Sequence, residues 1–431
     1  MSIQPSCILE GLTLPAALIS GYESIAVAGP AQDGLVRADI GWAQGRFRPL
    51  SALASAPRID ARAMTALPLL TQAHVHLDKT RTIAQTGFSD GTLMGAIGLV
   101  SGHMADCSYE NILTRMTAAA QEASDCGVRT LRTHIDALRP LPSVPAWRAA
   151  QKVRDAMAPH MTVQIATLCA LARARESGFE QQCAQVAKAG GILGAFVPPG
   201  PADPDLFDIF LAAAARHGLD VDFHIDEGLD PTVCNTATLA KSILRVGFEG
   251  NVVAGHCCAL AALPATQCDA ALDLIAASGL AVVSLPQTNL FLQDRKTGST
   301  PRHRGLTLIH ELRARGVPVA IGTDNVGDAF FPFGDYDLLA LLAGQVAAGQ
   351  LDSDLGGWMQ AITDVPARAL GITDTGRIAP DQRADLMLLP AQNWTEILAT
   401  KPDQRYIIRD GHCDHAFPLS LSHPIQSGAA R

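Results

Sequence analysis

The feature that most limits how this chain can fold is a repeat. Short apolar runs begin near residues 69, 129, 162, 192, 221, 252, 281 and 318. They include "LPLLTQAHVHL", "VRTLRTHID", "LDVDFHIDE", "NVVAGHCCAL" and "VPVAIGTDNVG", and each is long enough for a strand buried on both faces. After a first gap of 60 residues, the starts lie 33, 30, 29, 31, 29 and 37 residues apart. Helix-like stretches such as "YENILTRMTAAAQEAS" and "DPDLFDIFLAAAARHG" fall between them. A strand–helix unit of about 30 residues used eight times is the pattern of an α/β protein of the (β/α)8 TIM barrel type. The barrel is expected over residues 67–374. Residues 1–66, with short apolar alternations and glycines, and residues 375–431, where "GRIAPDQRADLMLLP" and "RYIIRDGH" read as strand, turn, strand, are expected to meet as one small β-sandwich-like domain. The tail "SLSHPIQSGAAR" has little to bury and is expected to be poorly ordered.

Such a barrel needs a large core, and 431 residues at 48% hydrophobic and 17% charged supply one. The net charge of -9 and the absence of any Lys/Arg block exclude a phosphate backbone as partner. The opening "MSIQPSCILEGLTLPAALIS" has no basic leader, and Glu10, Gly11 and Pro15 interrupt its apolar part. It fits neither a signal peptide nor a membrane span, so a cytoplasmic protein is expected. Ten cysteines without a CxxC pair read as reduced, mostly buried thiols.

Barrel chemistry sits at the C-terminal ends of the strands, and the unusual residues fall there. The first strand ends in His74 and His76, whose i, i+2 spacing turns both rings to one face. The fifth ends in His224 followed by Asp226 and Glu227, the sixth in His256, and the eighth in Asp324. Neutral imidazoles with one carboxylate suit a single divalent Zn2+ or Fe2+ with an open position for water, which the metal activates as a nucleophile. A lone strand-end histidine is more often a hydrogen-bonded structural residue than a ligand, and His134 in "LRTHIDA" is read that way. The metal assignment rests on the constellation His74, His76, His224 and Asp324. Glu227, three residues beyond a ligand, is placed to exchange protons with the activated water, and His256 to hydrogen-bond water or substrate. Asp78 and Lys79 are explained equally well by a loop ion pair and take no role. The glycines of "AGGILGAFVPPGPADPD" match no phosphate-loop pattern, and its prolines remove amide donors.

With these residues the chain resembles the cytosine deaminase branch of the amidohydrolase superfamily. The resemblance runs from "HVHLDKT" and "VRTLRTHIDA" through "VDFHIDEGLDP" and "AGHCCAL" to "LPQTNLFLQDRKTGSTPRHRGLT", "VPVAIGTDNVG" and the closing "RADLMLLPAQN". It implies one divalent metal on His74, His76, His224 and Asp324, with no carboxylated lysine on the fourth strand. "GILGAFVPP" offers none. It further implies that Glu227 carries a proton to a ring nitrogen, that His256 and Asp324 orient and deprotonate the water, and that the protein assembles as a homo-oligomer.

Three positions depart from that pattern. A glutamine that reads the pyrimidine edge is expected at the end of the third strand, where Ala170 stands. The residue after the eighth-strand aspartate is Asn325 rather than a second aspartate, and the aromatic that follows is Phe330 rather than tryptophan. These three are the candidate substrate contacts. Without a bidentate partner, cytosine would bury an unpaired polar edge. The leading reading is a metal-dependent aminohydrolase releasing ammonia from a small nitrogen heterocycle, cytosine or a related pyrimidine or triazine-like ring. A hydrolase of a cyclic amide or an N-alkylamino substituent, and a non-catalytic metal-binding barrel, stay open beside it.

Overall fold

The computed structural model describes residues 6–22, 32–137 and 140–413; the tail singled out above lies outside them. Two eight-stranded sheets organise these residues. The first is built from both ends of the chain: β1 (Ser6–Pro15), β2 (Leu35–Ala43), β3 (Arg46–Phe47), β4 (Arg58–Asp60) and β5 (Thr65–Pro68). Three strands from the other end of the chain complete it.

The second sheet is the barrel. It runs β6 (Leu70–Val75), β7 (Val128–Asp136), β8 (Thr162–Ala170), β9 (Leu193–Phe196), β10 (Val221–Ile225), β11 (Val252–His256), β12 (Ala281–Ser284) and β13 (Val319–Ile321), each hydrogen-bonded to the next and all parallel. The eight apolar runs of the sequence are these eight strands, and their pairing order is their sequence order. That order follows from a right-handed strand–helix unit laid down repeatedly, which leaves no strand to cross another. The ring closes between first and last strands: Asp324 N donates to His74 O at 3.1 Å, and Gln72 Nε2 donates to Thr323 Oγ1 at 2.9 Å.

The intervening helices behave as their patterning requires. Tyr109–Asp125 starts on Ser108, whose hydroxyl accepts from Asn111 N, and turns Ile112, Met116, Ala119, Ala120 and Ala123 inward. Burial of Ile112 or Met116 contributes roughly 1.5–3 kcal/mol each. Pro204–Arg216 begins with Asp203 as cap and proline in its first turn, and buries Phe207, Phe210 and Leu211.

After the barrel, β14 (Leu386–Leu389), β15 (Tyr406–Arg409) and β16 (His412–Cys413) return to the first sheet, where β14 pairs antiparallel with β5. Its apolar face holds Leu9, Leu12, Leu14, Ile40, Trp42, Phe47, Ile378, Leu386 and Ile408. Ion pairs pin it to the barrel. Arg129, at the start of β7, reaches Asp385 at 2.8 Å and Asp410 at 2.9 Å, and Arg405 holds both oxygens of Asp337 at 2.8 and 2.7 Å. Arg129 lies at the N-terminal end of its strand, so the terminal sheet braces the end of the barrel opposite the strand ends that carry the histidines. Among the described residues no helix is long and apolar enough to cross a membrane.

Candidate active site

At the C-terminal ends of β6, β10 and β11, and just beyond β13, four imidazoles and a carboxylate converge. His74 Nε2 and His76 Nε2 each lie 3.0 Å from His224 Nε2, while Asp324 Oδ1 lies 3.6 Å from the first and 3.3 Å from the second. All are buried. Gly255 makes this convergence possible: a Cβ there would stand 3.0 Å from His74 Cε1.

The cluster fits a divalent cation and is poorly satisfied otherwise. A proton on His224 Nε2 can serve one of its two nitrogen neighbours, not both. Both oxygens of Asp324 are buried without a hydrogen-bond partner, as are Nδ1 of His74 and of His224. The proton affinity of all three imidazoles is well below the ordinary histidine value. Burial is the first cause for each; His134 adds to it for His74, the Lys79 ammonium for His76, and His74 for His224. Neutral rings keep their lone pairs free for a metal, and three nitrogens plus one oxygen is a set that Zn2+ or Fe2+ accepts.

Beside the cluster stands a carboxyl–imidazole pair. Glu227 Oε1 lies 3.3 Å from His256 Nε2, and burial pushes the Glu227 carboxyl above its usual range, with the negative charge of Asp324 adding to the push and His256 opposing it. Asp226, next in sequence, is not part of this pair. Its oxygens accept from the backbone N–H groups of Asn235 and Thr236 at 3.0 and 2.8 Å and from the Thr236 hydroxyl at 2.7 Å, so it caps the helix Asn235–Val246.

These groups open into a cavity of about 200 Å³. His76, His224, Glu227, His256 and Asp324 form its polar wall, and Leu93, Ile97, Val100, Leu168, Phe196 and Phe330 its apolar sides. The three candidate substrate contacts, Ala170, Asn325 and Phe330, all line it. The amide of Asn325 is already engaged, donating to Asp328 Oδ2 at 2.6 Å.

Several site features escaped the sequence reading. Lys79 is buried and faces the cavity with Asp136, its partner at 3.0 Å, whereas Asp78 is 3.9 Å away. His134 is drawn into the cluster: its ring lies 4.0 Å from that of His74, centroid to centroid, and its Nε2 is 3.2 Å from Asp222 Oδ1. Three of the apolar side chains along the cavity, Leu93, Ile97 and Val100, come from the helix Leu93–Asp106, which sits in the long connection between β6 and β7. The 60-residue first gap, twice the repeat, is the signal that could have pointed to extra structure there.

Comparison with known proteins shows the family to which the chain belongs. The model described as "Amidohydrolase family" matches residues 197–413. A pterin deaminase from Rhizobium rhizogenes is 35% identical over 410 residues, covering 94% of this chain and 92% of the relative. N-isopropylammelide isopropyl amidohydrolase from a Pseudomonas species is 24% identical over 82% of this chain and 86% of its own length. The crystal structure of 5-methylcytosine deaminase from Klebsiella pneumoniae liganded with phosphonocytosine superposes with a TM-score of 0.77 at 25% identity, covering 96% of this chain and all (100%) of that one. The chain therefore belongs to the amidohydrolase family, in its deaminase branch, and is a hydrolase acting on carbon–nitrogen bonds.

Proposed function

We propose that the protein hydrolytically deaminates a fused, pterin-like nitrogen heterocycle. The observation that carries this reading is Ala170 on the cavity wall at the end of β8. A glutamine there would fill the space beside the ring and read a single pyrimidine. A methyl group leaves that space open for a second ring, and the apolar sides from Leu93, Ile97, Phe196 and Phe330 suit the faces of a flat bicycle. The pterin deaminase relative, similar over nearly its whole length, supports the same choice.

His74, His76, His224 and Asp324 would hold the divalent ion, Zn2+ or Fe2+, which when bound supplies the Lewis acidity that makes water nucleophilic near neutral pH. The remaining work falls to side chains of this chain. His256 Nε2 orients the attacking water and takes up its proton. Glu227, whose buried carboxyl favours the protonated form, gives a proton to the ring nitrogen next to the carbon under attack, and then returns a proton to the departing amine. The 3.3 Å between the two lets a proton pass between them. The apolar walls keep bulk water from the ring.

The test is product analysis with purified, metal-analysed protein on pterin, cytosine, 5-methylcytosine and N-isopropylammelide, with Asp324→Asn as blank. Ammonia from pterin, with little from the single-ring pyrimidines, is expected. Isopropylamine from the alkylated ring with no ammonia from pterin would replace this reading with alkylamine hydrolysis, and ammonia mainly from cytosine would show that another group stands in for the glutamine.

A further inference from the structure

The two residues given proton-handling roles lie at the ends of different strands, Glu227 two residues beyond β10 and His256 at the last residue of β11. Each is gripped by one segment, Pro286–Thr307, which follows β12. Asn289, on the helix Pro286–Leu292, presents Oδ1 to His256 Nδ1 at 3.0 Å. Gln293, just past that helix, donates from Nε2 to the Glu227 carbonyl at 2.5 Å. Thr307 donates its hydroxyl to the His256 carbonyl at 2.6 Å. All three partners are buried. Gly305 belongs to the same arrangement, since a Cβ there would stand 2.3 Å from Gln293 Cγ.

The grip matters because the backbone it holds is strained. His256 has φ of 72° and Cys257 of 53°, in the left-handed region that side chains with a Cβ rarely adopt. Such a conformation persists only where its surroundings over-determine it. The ring needs the same support. With Oδ1 against it, Nδ1 carries the proton, so the lone pair of Nε2 is turned toward Glu227 and the cavity.

We propose that Asn289, Gln293 and Thr307 are positioning residues for the hydrolysis, with Asn289 setting the tautomer and aim of His256 while Gln293 and Thr307 hold the backbones of Glu227 and His256. They touch the groups that move protons, not the substrate, so their removal acts on turnover more than on binding. The proposal rests on the roles given above to Glu227 and His256, but part of its test needs no substrate.

In zinc-loaded protein with ¹⁵N-labelled histidine, the His256 ring signals, assigned by their loss in His256→Asn, are expected to report the Nδ1–H tautomer. In Asn289→Ala they are expected to shift to a mixture. An Nε2–H ring in the wild type, or an unchanged ring in Asn289→Ala, overturns the assignment to Asn289, and failure of the proposed substrate leaves this result intact. On any substrate that is turned over, Asn289→Ala and Thr307→Val are expected to lose about tenfold or more in kcat with KM and metal content nearly unchanged. Thr307→Ser, which keeps the hydroxyl, is expected to recover most of the loss. If Thr307→Val folds, binds metal and turns over like the wild type, or if Thr307→Ser is as impaired as Thr307→Val, the hydroxyl does not position His256.

Discussion

The two sheets spend the same unusual backbone conformation on opposite ends. In the terminal sheet, Gln44 and Gly45 have φ of 55° and 73°, and Asp410 and Gly411 of 48° and 76°. Each pair is the two-residue link of a tight hairpin, between β2 and β3 and between β15 and β16, and the positive φ reverses the chain with the twist that paired strands require. In the barrel, Asp226, His256, Cys257 and Asp324 have φ of 55°, 72°, 53° and 62° just where strands β10, β11 and β13 give way to loops. There the chain is not reversed; side chains are aimed. The cores differ in kind as well. The terminal sheet buries an apolar face around Trp42, whose indole N–H finds the Gly411 carbonyl at 3.1 Å, whereas the barrel mouth buries imidazoles and a carboxylate of which several polar atoms, both oxygens of Asp324 and Nδ1 of His74 and His224 among them, lack protein partners. One region is built for stability, and the other accepts cost for chemistry.

Variants at the two ends should therefore separate turnover from stability. The largest effect is expected from Asp324→Asn: loss of bound metal and a fall in kcat/KM of about a thousandfold or more, read by metal analysis and kinetics on the same preparation. Glu227→Gln should cost about 10²–10⁴ in kcat with metal content retained. An equal loss of metal would mean that Glu227 belongs to the ligand set. On the other side, Trp42→Ala should cost about 3–5 kcal/mol of stability in denaturant titration, while the remaining folded enzyme keeps its kcat. A change in kcat would show that the terminal sheet reaches the site.

Two smaller effects sharpen the contrast. Asp328, in the loop after β13, has its carboxyl raised to about 7 by burial, against hydrogen bonds from Asn325, Phe331 and Phe330 that favour the ionised form. A carboxyl whose folded value lies above its unfolded one contributes stability that is present at low pH and lost as pH rises through the folded value. Tm of the wild type should therefore fall from about pH 4, where the unfolded carboxyl ionises, to about pH 7 relative to Asp328→Asn, and parallel curves would remove Asp328 as the cause. The smallest effect is expected at Gln44. Asparagine tolerates the left-handed region better, so Gln44→Asn should raise stability by up to about 1 kcal/mol without altering turnover.

Much of this architecture could be read from the chain. The eight strands were visible because a strand buried on both faces is an unbroken apolar run, and because the spacing between runs is set by the helix that must cross back. His74 and His76 were legible together because the two-residue strand period puts them on one face, and His224 and Asp324 because their strands end where their apolar runs end. Other parts had no local signature. Asn289, Gln293 and Thr307 matter through contacts with residues 33, 66 and 51 positions away, so nothing in their own neighbourhood marks them. His134 read as a structural residue because its strand end looks like any other. Its closeness to His74 comes from the pairing of β7 beside β6, with Thr133 opposite Val75, and the same pairing sets Asp136 beside Lys79.

The seam of the barrel has a consequence for how the protein comes into being. Its first strand and its last meet at the cluster: His74 and His76 come from one side of the joint and Asp324 from the other, with the Asp324 amide bonded to the His74 carbonyl. A chain still emerging from the ribosome owns two of the four donors long before the fourth has been made, and cannot bring them together until β13 has docked beside β6. If these four hold the ion as proposed, full-strength metal binding needs the finished ring, and a chain truncated before β13 is expected to bind the ion more weakly.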